Sequence, residues 1–261
     1  MAVIGPDMDC QELSDRLDSE LATEAYATID VSANGLQVER TGDISHVAVA
    51  VDAAVETIER AIARDADLLF THHGISWGGI ERVTGSTYQR IAPLIEHNVG
   101  LYASHLPLDG HQTLGNAAGV GDVLGVIDRE PFGRYDGEYI GQAGTLPEPV
   151  STDTLVEQLS SELDTGGQQV QTLDFGPEMV SKVAIVTGSG VDWLDEAVAV
   201  DADVLITGEG KQSVYHEAKE AGISVVLAGH YATETFGVQS VQNLLSEWGL
   251  ETSFIDCPTG L

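Results

Sequence analysis

Residues 47–74 and 183–210 are two copies of one pattern, which commits the chain to building the same local structure twice. The copies align without a gap. Val47-Ala48-Val49 matches Val183-Ala184-Ile185. Asp65-Ala66-Asp67-Leu68-Leu69-Phe70-Thr71 matches Asp201-Ala202-Asp203-Val204-Leu205-Ile206-Thr207. Val55, Ala61 and Ala63 recur as Val191, Ala197 and Ala199. Short apolar runs bounded by Asp and Gly fit central parallel strands, and the segments between them have helical length. Each copy is therefore expected to be a strand–helix–strand unit. A third strand repeats too: Gly100-Leu101-Tyr102-Ala103-Ser104-His105 resembles Val225-Val226-Leu227-Ala228-Gly229-His230. The expected fold class is α/β, with two similar, interlinked α/β domains. The first spans 1–126 and the second 127–234, with residues 235–261 able to return to the first. Leu13, Leu17 and Leu21 at four-residue spacing predict a helix over 8–21, ahead of the first copy.

The copies differ where chemistry would sit. In open α/β sheets, ligands collect beyond the carboxyl ends of strands. The second strand of the first copy runs into His72-His73, whereas the second copy has Gly208-Glu209 there. Two neutral imidazoles can reach one metal site. The third-strand ends carry His105 with Asp109, and His230 with Glu234, each carboxylate four residues after its His. His72, His73, Asp109, His230 and Glu234 mix nitrogen and oxygen donors. They outnumber what one tetrahedral zinc with an open position takes. Divided over two ions about 3.5–4 Å apart, they form a dinuclear site of the kind that activates water. If the copies pack face to face, the donors converge in the cleft between the domains. His105 and His216 are candidates for proton transfer, and Glu209 for orienting a water or a substrate donor. Each residue also has an ordinary reading: a surface His pair capping a strand, Asp109 as a helix N-cap, Glu234 in a helix first turn, His230 as a core histidine.

Formal charge narrows the partners. Lys and Arg total 11 against 42 Asp and Glu, a net charge of -31. Lys182, Lys211 and Lys219 are the only lysines. Ordinary globular patterning persists, so the charge does not mark disorder. A surface adapted to high salt accounts for it, because screening at about 3 Å in 1 M salt removes the self-repulsion. Such a surface repels nucleic acid at low salt. Cys10 and Cys257 form neither a disulfide framework nor a metal-ligand spacing, which points to a reducing cytoplasm. No apolar run reaches membrane-spanning length. There is no P-loop and no dinucleotide fingerprint; Gly188-Ser189-Gly190 is a turn.

Thr71-His72-His73-Gly74 with Trp77-Gly78-Gly79, Ser104-His105-Leu106-Pro107-Leu108-Asp109, and Ala228-Gly229-His230-Tyr231-Ala232-Thr233-Glu234 together resemble the signatures of the Nif-three-like family, also labelled GTP cyclohydrolase I type 2 homologues. Asn34-Gly35-Leu36 and Thr207-Gly208-Glu209 with His216 fit as well. The resemblance covers nearly the whole chain. It implies two α/β domains, a dinuclear metal centre between them, ligands at the same five positions, and a toroidal homohexamer. His105 would stand just outside the ligand set. The family commonly has Asp where this chain has Glu209, and the long insert domain of some members is absent. Two functions follow. One is a metal-dependent hydrolase acting on a nucleotide or similar small molecule. The other is a non-catalytic metal-binding or regulatory protein serving storage, delivery or partner binding. The two ions are Zn, Fe, Mn or Ni, all compatible with such donors.

The charge yields a direct expectation. The thermal midpoint should rise steeply from about 0.1 M to multimolar KCl, past the point where Debye screening saturates. A flat response in a thermal melt series would return the acidic surface to an ordinary mesophilic protein.

Overall fold

The computed structural model describes residues 8–261. Its strands are β1 (Gly35–Val38), β2 (His46–Asp52), β3 (Leu68–His73), β4 (Gly100–Ala103), β5 (Ile127–Tyr135) and β6 (Glu138–Val150). They continue with β7 (Gln171–Leu173), β8 (Val180–Ile185), β9 (Val204–Thr207), β10 (Ser224–Leu227) and β11 (Glu251–Phe254). The chain divides into two compact units. Among the described residues, the first comprises 8–108 and 237–257, and the second 109–236 and 258–261.

The first unit holds a five-stranded sheet in the order β1-β4-β3-β2-β11. β2, β3, β4 and β11 are parallel, and β1 pairs antiparallel with β4. β2 and β3 are buried on both faces, which explains their unbroken apolar runs. Ala48, Ala50, Leu69 and Leu101 pack with Ile58 and Leu94 from the crossover helices, and with Ile255 just after β11. The leucine stripe at 13, 17 and 21 is buried, and the helix Cys10–Glu20 begins with a capping box between Asp9 and Glu12.

The second unit holds a six-stranded sheet in the order β5-β6-β8-β9-β10-β7. β8, β9 and β10 are parallel, as β2, β3 and β4 are, and β7 pairs antiparallel with β10 as β1 does with β4. The repeat therefore extends to an antiparallel edge strand that the sequence pattern did not show. The helix Asn116–Val123, placed by sequence in the first domain, packs in the second unit. Ala117 and Val120 join the core built by Leu155, Val183, Ile185, Val204 and Val226. The division accordingly falls at Leu108 and Asp109 rather than near 126. Long polar stretches in β5 and β6 hid that hairpin, because neither strand has a continuous apolar run.

The Asp-Ala-Asp triplets do the same work in both copies. Asp65 (φ 54°) and Asp201 (φ 57°) take left-handed conformations that end the preceding helices. Ala66 N–H then donates back to Ala61, and Ala202 N–H to Ala197. The second Asp of each triplet ties two strand starts together. Asp67 Oδ2 accepts from the N–H groups of Ser45 and His46 at 2.8 and 3.0 Å. Asp203 Oδ2 accepts from those of Ser181 and Lys182 at 2.8 and 2.9 Å. Asp67 also accepts from the Ser45 hydroxyl and pairs with Arg40 at 3.0 Å. Burial raises the Asp67 carboxyl, but the His46 and Ser45 bonds outweigh it and hold the group below its ordinary value.

Asp67→Ala should therefore cost about 3 kcal/mol and Asp203→Ala about 2 kcal/mol in denaturant melts at neutral pH, the scale of charged hydrogen bonds. A carboxyl held low stabilises above its unfolded pKa, and that stability fades as pH falls through the folded value. The gap between the parent and Asp67→Ala should thus close below about pH 4.

Candidate metal centre

Because β2, β3 and β4 are parallel and in register, their carboxyl ends lie side by side on one sheet edge, and three histidines stand there. His72 and His73 are the last residues of β3, and His105 follows β4. The fully buried His72 ring donates from Nδ1 to the carbonyl of Ser104 at 2.8 Å. His73 Nδ1 meets Asp52 Oδ1 at 2.9 Å, because β2 and β3 place Asp52 directly opposite His73. His105 Nδ1 meets Asp30 Oδ1 at 3.0 Å. Asp30 is held in turn by the N–H groups of Ser32 (2.9 Å) and Leu106 (2.9 Å) and by the Asn34 amide (2.8 Å). Burial pushes its carboxyl up, but the hydrogen bonds from His105, Asn34 and Ser32 hold it below the usual range. Carbonyls and carboxylates accept hydrogen bonds, so each ring donates from Nδ1, which gives the ligand role to Nε2. The ligand nitrogens of the three rings lie within 4.8 Å of one another.

The second unit gathers a carboxylate-rich set. Asp109 and Glu234 are both buried, with carboxylate oxygens within 4.8 Å of each other. Asp109 Oδ1 accepts from the Asn116 amide at 2.8 Å and from Thr187 Oγ1 at 3.2 Å. His230 lies between two carboxylates, with Nδ1 3.2 Å from Glu209 and Nε2 3.2 Å from Glu234. Burial opposes charge on this ring, yet Glu234 and then Glu209 outweigh it and push its pKa up to about 9. Glu209 accepts a short hydrogen bond from Ser189 that, with His230, keeps its carboxyl low despite burial. Gly188 (φ 59°) makes room for this arrangement, since a Cβ there would strike Glu234 Oε1.

His72, His73 and His105 are thus brought together in one unit, and Asp109, His230, Glu234 and Glu209 in the other. His216 is exposed on the helix Val214–Ala221 and packs edge-on against Tyr215. It joins none of the donor groups found among the described residues. The N-cap reading of Asp109 fails, because Gly115 caps the helix Asn116–Val123 and Asp109 lies inside the short helix Leu106–Gly110. Sequence reasoning missed Asp30 and Asp52. Asp52 had a signal: it ends a buried strand, and the second copy has Gly188 in its place. The donors suit a divalent cation. Oriented imidazole lone pairs and buried carboxylates are what such ions take, and an acceptor on the far nitrogen is the usual support of a ligating His.

The model of the Duf34/NIF3 (NGG1p interacting factor 3) family matches residues 8–259. The chain belongs to this family. Among its relatives, a GTP cyclohydrolase 1 type 2 homolog of Halobacterium salinarum is 53% identical over 97% of this chain and 100% of its own length. A GTP cyclohydrolase 1 type 2 homolog of Pyrococcus horikoshii is 42% identical over the same shares. Among solved structures, TTHA1606 from Thermus thermophilus superposes with a TM-score of 0.88 at 36% identity, covering 97% of this chain and 100% of that one. Reduced HcgD from Methanocaldococcus jannaschii gives a TM-score of 0.81 at 26% identity, over 96% and 98% of the two chains. The two-domain α/β fold of the NIF3 family is thereby shown for this chain.

Asp52→Ala should lower divalent-metal affinity about 10- to 100-fold in a chelator competition, the usual effect of removing a ligand's support. The melting temperature of the metal-free protein should barely move, since the Asp52 side chain is a third exposed.

Proposed function

We propose that this protein holds two divalent metal ions on His72, His73, Asp109, His230 and Glu234 and uses them to hydrolyse a nucleotide or similar small substrate. The observation that carries the reading is the orientation of the histidines of the first unit. Each Nδ1 is held by a hydrogen-bond acceptor, and three such rings in one place exceed what packing requires. The names of the relatives point the same way. Bound there, divalent ions supply Lewis-acid activation of water and neutralise charge on a reacting oxygen.

The chain's own groups do the rest. Asp52 and Ser104 hold the His73 and His72 rings in register. Asn116 and Thr187 fix the Asp109 carboxylate. Glu209 stays ionised beside His230, which suits it to orient a substrate donor. Trp77, edge-on to His105 with ring centroids 5.0 Å apart and 44% exposed, offers an apolar wall beside the imidazoles. His105, on its Asp30 support, is a candidate for proton transfer. Exposed Trp77, Ile80, Val83, Tyr88 and Ile95 along one stretch favour self-association, which supports the homohexamer. No helix among the described residues is long and apolar enough to cross a membrane. We place the protein in a salt-rich cytoplasm on its charge and its two unpatterned cysteines.

The test is metal content of protein purified without chelators, measured beside a nucleotide substrate screen in high salt. His73→Ala and Glu234→Ala should each lower bound metal while leaving the circular dichroism spectrum in place. Full metal stoichiometry in both variants would overturn the site. Full metal loading without turnover on any substrate would favour the non-catalytic metal-binding protein.

A further inference from the structure

We infer that the first unit carries a binding site for an aliphatic polyamine, in a cavity walled by Asp18, Thr23, Glu24 and Ser32. No residue lining this cavity belongs to the donor groups of the metal centre. The site is separate from the chemistry proposed above and does not depend on it.

Three observations carry it. The first is an anchored carboxylate. Asp18 lies on the helix Cys10–Glu20, and the Tyr102 hydroxyl from β4 donates to its Oδ1 at 2.7 Å. Tyr102 is fully buried, with its ring stacked on Phe70 at a centroid distance of 5.5 Å. Burial pushes the pKa of this phenol up, so it remains a donor. Its one proton goes to Asp18, which leaves Thr23 Oγ1, 3.4 Å away, to donate to it. Asp18 and Thr23 both keep acceptor lone pairs on the cavity wall.

The second is an unpaired hydroxyl. Ser32 lines the cavity and is 6% exposed, and its buried Oγ has no hydrogen-bond partner. The backbone around it is fixed. Ser32 N–H donates to Asp30 at 2.9 Å, and Ala33 N–H donates to the Ser76 carbonyl at 3.0 Å. A buried hydroxyl left unpaired is costly, and a donor in the cavity would satisfy it.

The third is the balance of donors and the size. No Lys, Arg or His lines the cavity, and Asp18 and Glu24 give it two carboxylates. The Asn34 amide is already committed, to Asp30 at 2.8 Å and to the His105 backbone N–H at 2.7 Å. A wall so rich in acceptors selects a cation that carries several donors. Size then selects among cations. The cavity measures about 480 Å³, within the roughly 300–1,000 Å³ of small-molecule sites. An inorganic ion with its inner waters, at about 30 Å³ each, fills only part of that. The side chains of Ala27 and Ala33 give an aliphatic linker something to lie on. Two carboxylates match two ammonium groups joined by such a linker.

The test is calorimetric titration of the full chain with spermidine in about 1 M KCl, where a screening length of about 3 Å removes loose attraction to the acidic surface. One saturable equivalent is expected. Asp18→Asn keeps an acceptor for Tyr102 but loses the charge, and should weaken binding about 10- to 100-fold. Ser32→Ala should weaken it about 3- to 10-fold. It should leave the melting temperature of the amine-free protein unchanged, because that hydroxyl has no partner to lose. Asp195→Asn, which removes one exposed charge from the second unit, should change nothing. Equal losses in Asp18→Asn and Asp195→Asn would mean unspecific attraction and overturn the inference. So would the lack of a saturable equivalent, or binding that survives Asp18→Asn and is lost in His73→Ala, which would put the amine on the metal centre. Binding seen only after tetramethylammonium chloride replaces KCl would assign the cavity to an inorganic cation, and the inference falls. Should the variants fold poorly, NMR of the unaltered protein decides. Nuclear Overhauser contacts should join the spermidine methylenes to the Ala27 and Ala33 methyls, and their absence at saturating amine would overturn the inference.

Discussion

Parallel pairing of β2, β3 and β4 is the constraint on which the histidine cluster depends. Parallel strands in register bring their carboxyl ends to one edge, so residues far apart in sequence become neighbours without any further device. Asp52 faces His73 across one pair, and the Ser104 carbonyl reaches His72 across the other. A slip of one residue in β3 would turn both imidazoles to the wrong faces of the sheet. The register is in turn secured at the opposite end, where Asp67 binds the first amides of β2. Asp203 repeats that tie in the second unit.

The two copies show how one strand–helix–strand scaffold diverges at its carboxyl edge. Each keeps the Asp-Ala-Asp triplet that stops the helix and ties the strand starts. At the carboxyl ends the copies part. The first copy uses Asp52 to orient a ring, whereas the second has Gly188, whose missing Cβ admits the Glu234 carboxylate. Where the first has His72, the second has Gly208, and a Cβ there would stand 2.7 Å from His230 Cα. The close approach of His230 therefore excludes an imidazole at the equivalent of His72. One unit ends up rich in nitrogen donors and the other in oxygen donors. The difference lies in a few side chains on a shared backbone.

The acidic surface leaves the scarce cations with structural work. Arg40 joins Asp67 and the Asn98 carbonyl, and Arg129 joins Asp122 while capping carbonyls of Val126 and Ala118. Arg60 and Arg64 reach carbonyls of Asp256 and Phe254, fastening the segment around β11 to the crossover helix. Besides the two carboxylate pairs, these are links to backbone oxygen, which salt screens less than exposed ion pairs.

By itself, the sequence determined the repeat and the α/β class, and it singled out the histidines and carboxylates at the strand ends as candidate donors. Those depend on local pattern: apolar runs of strand length, an Asp that stops a helix, a His just past a strand. Position along the chain placed His105 and His230 alike, each just past a third strand. Only the tertiary structure decided what each one touches. His105 leans on Asp30 from a turn 75 residues earlier, while His230 sits between Glu209 and Glu234. Strand order, the antiparallel edges β1 and β7, and the return of residues 237–257 to the first sheet were likewise settled by packing. Such pairings are set by which buried faces can meet, and that information is spread over many weak contacts rather than written in any one stretch.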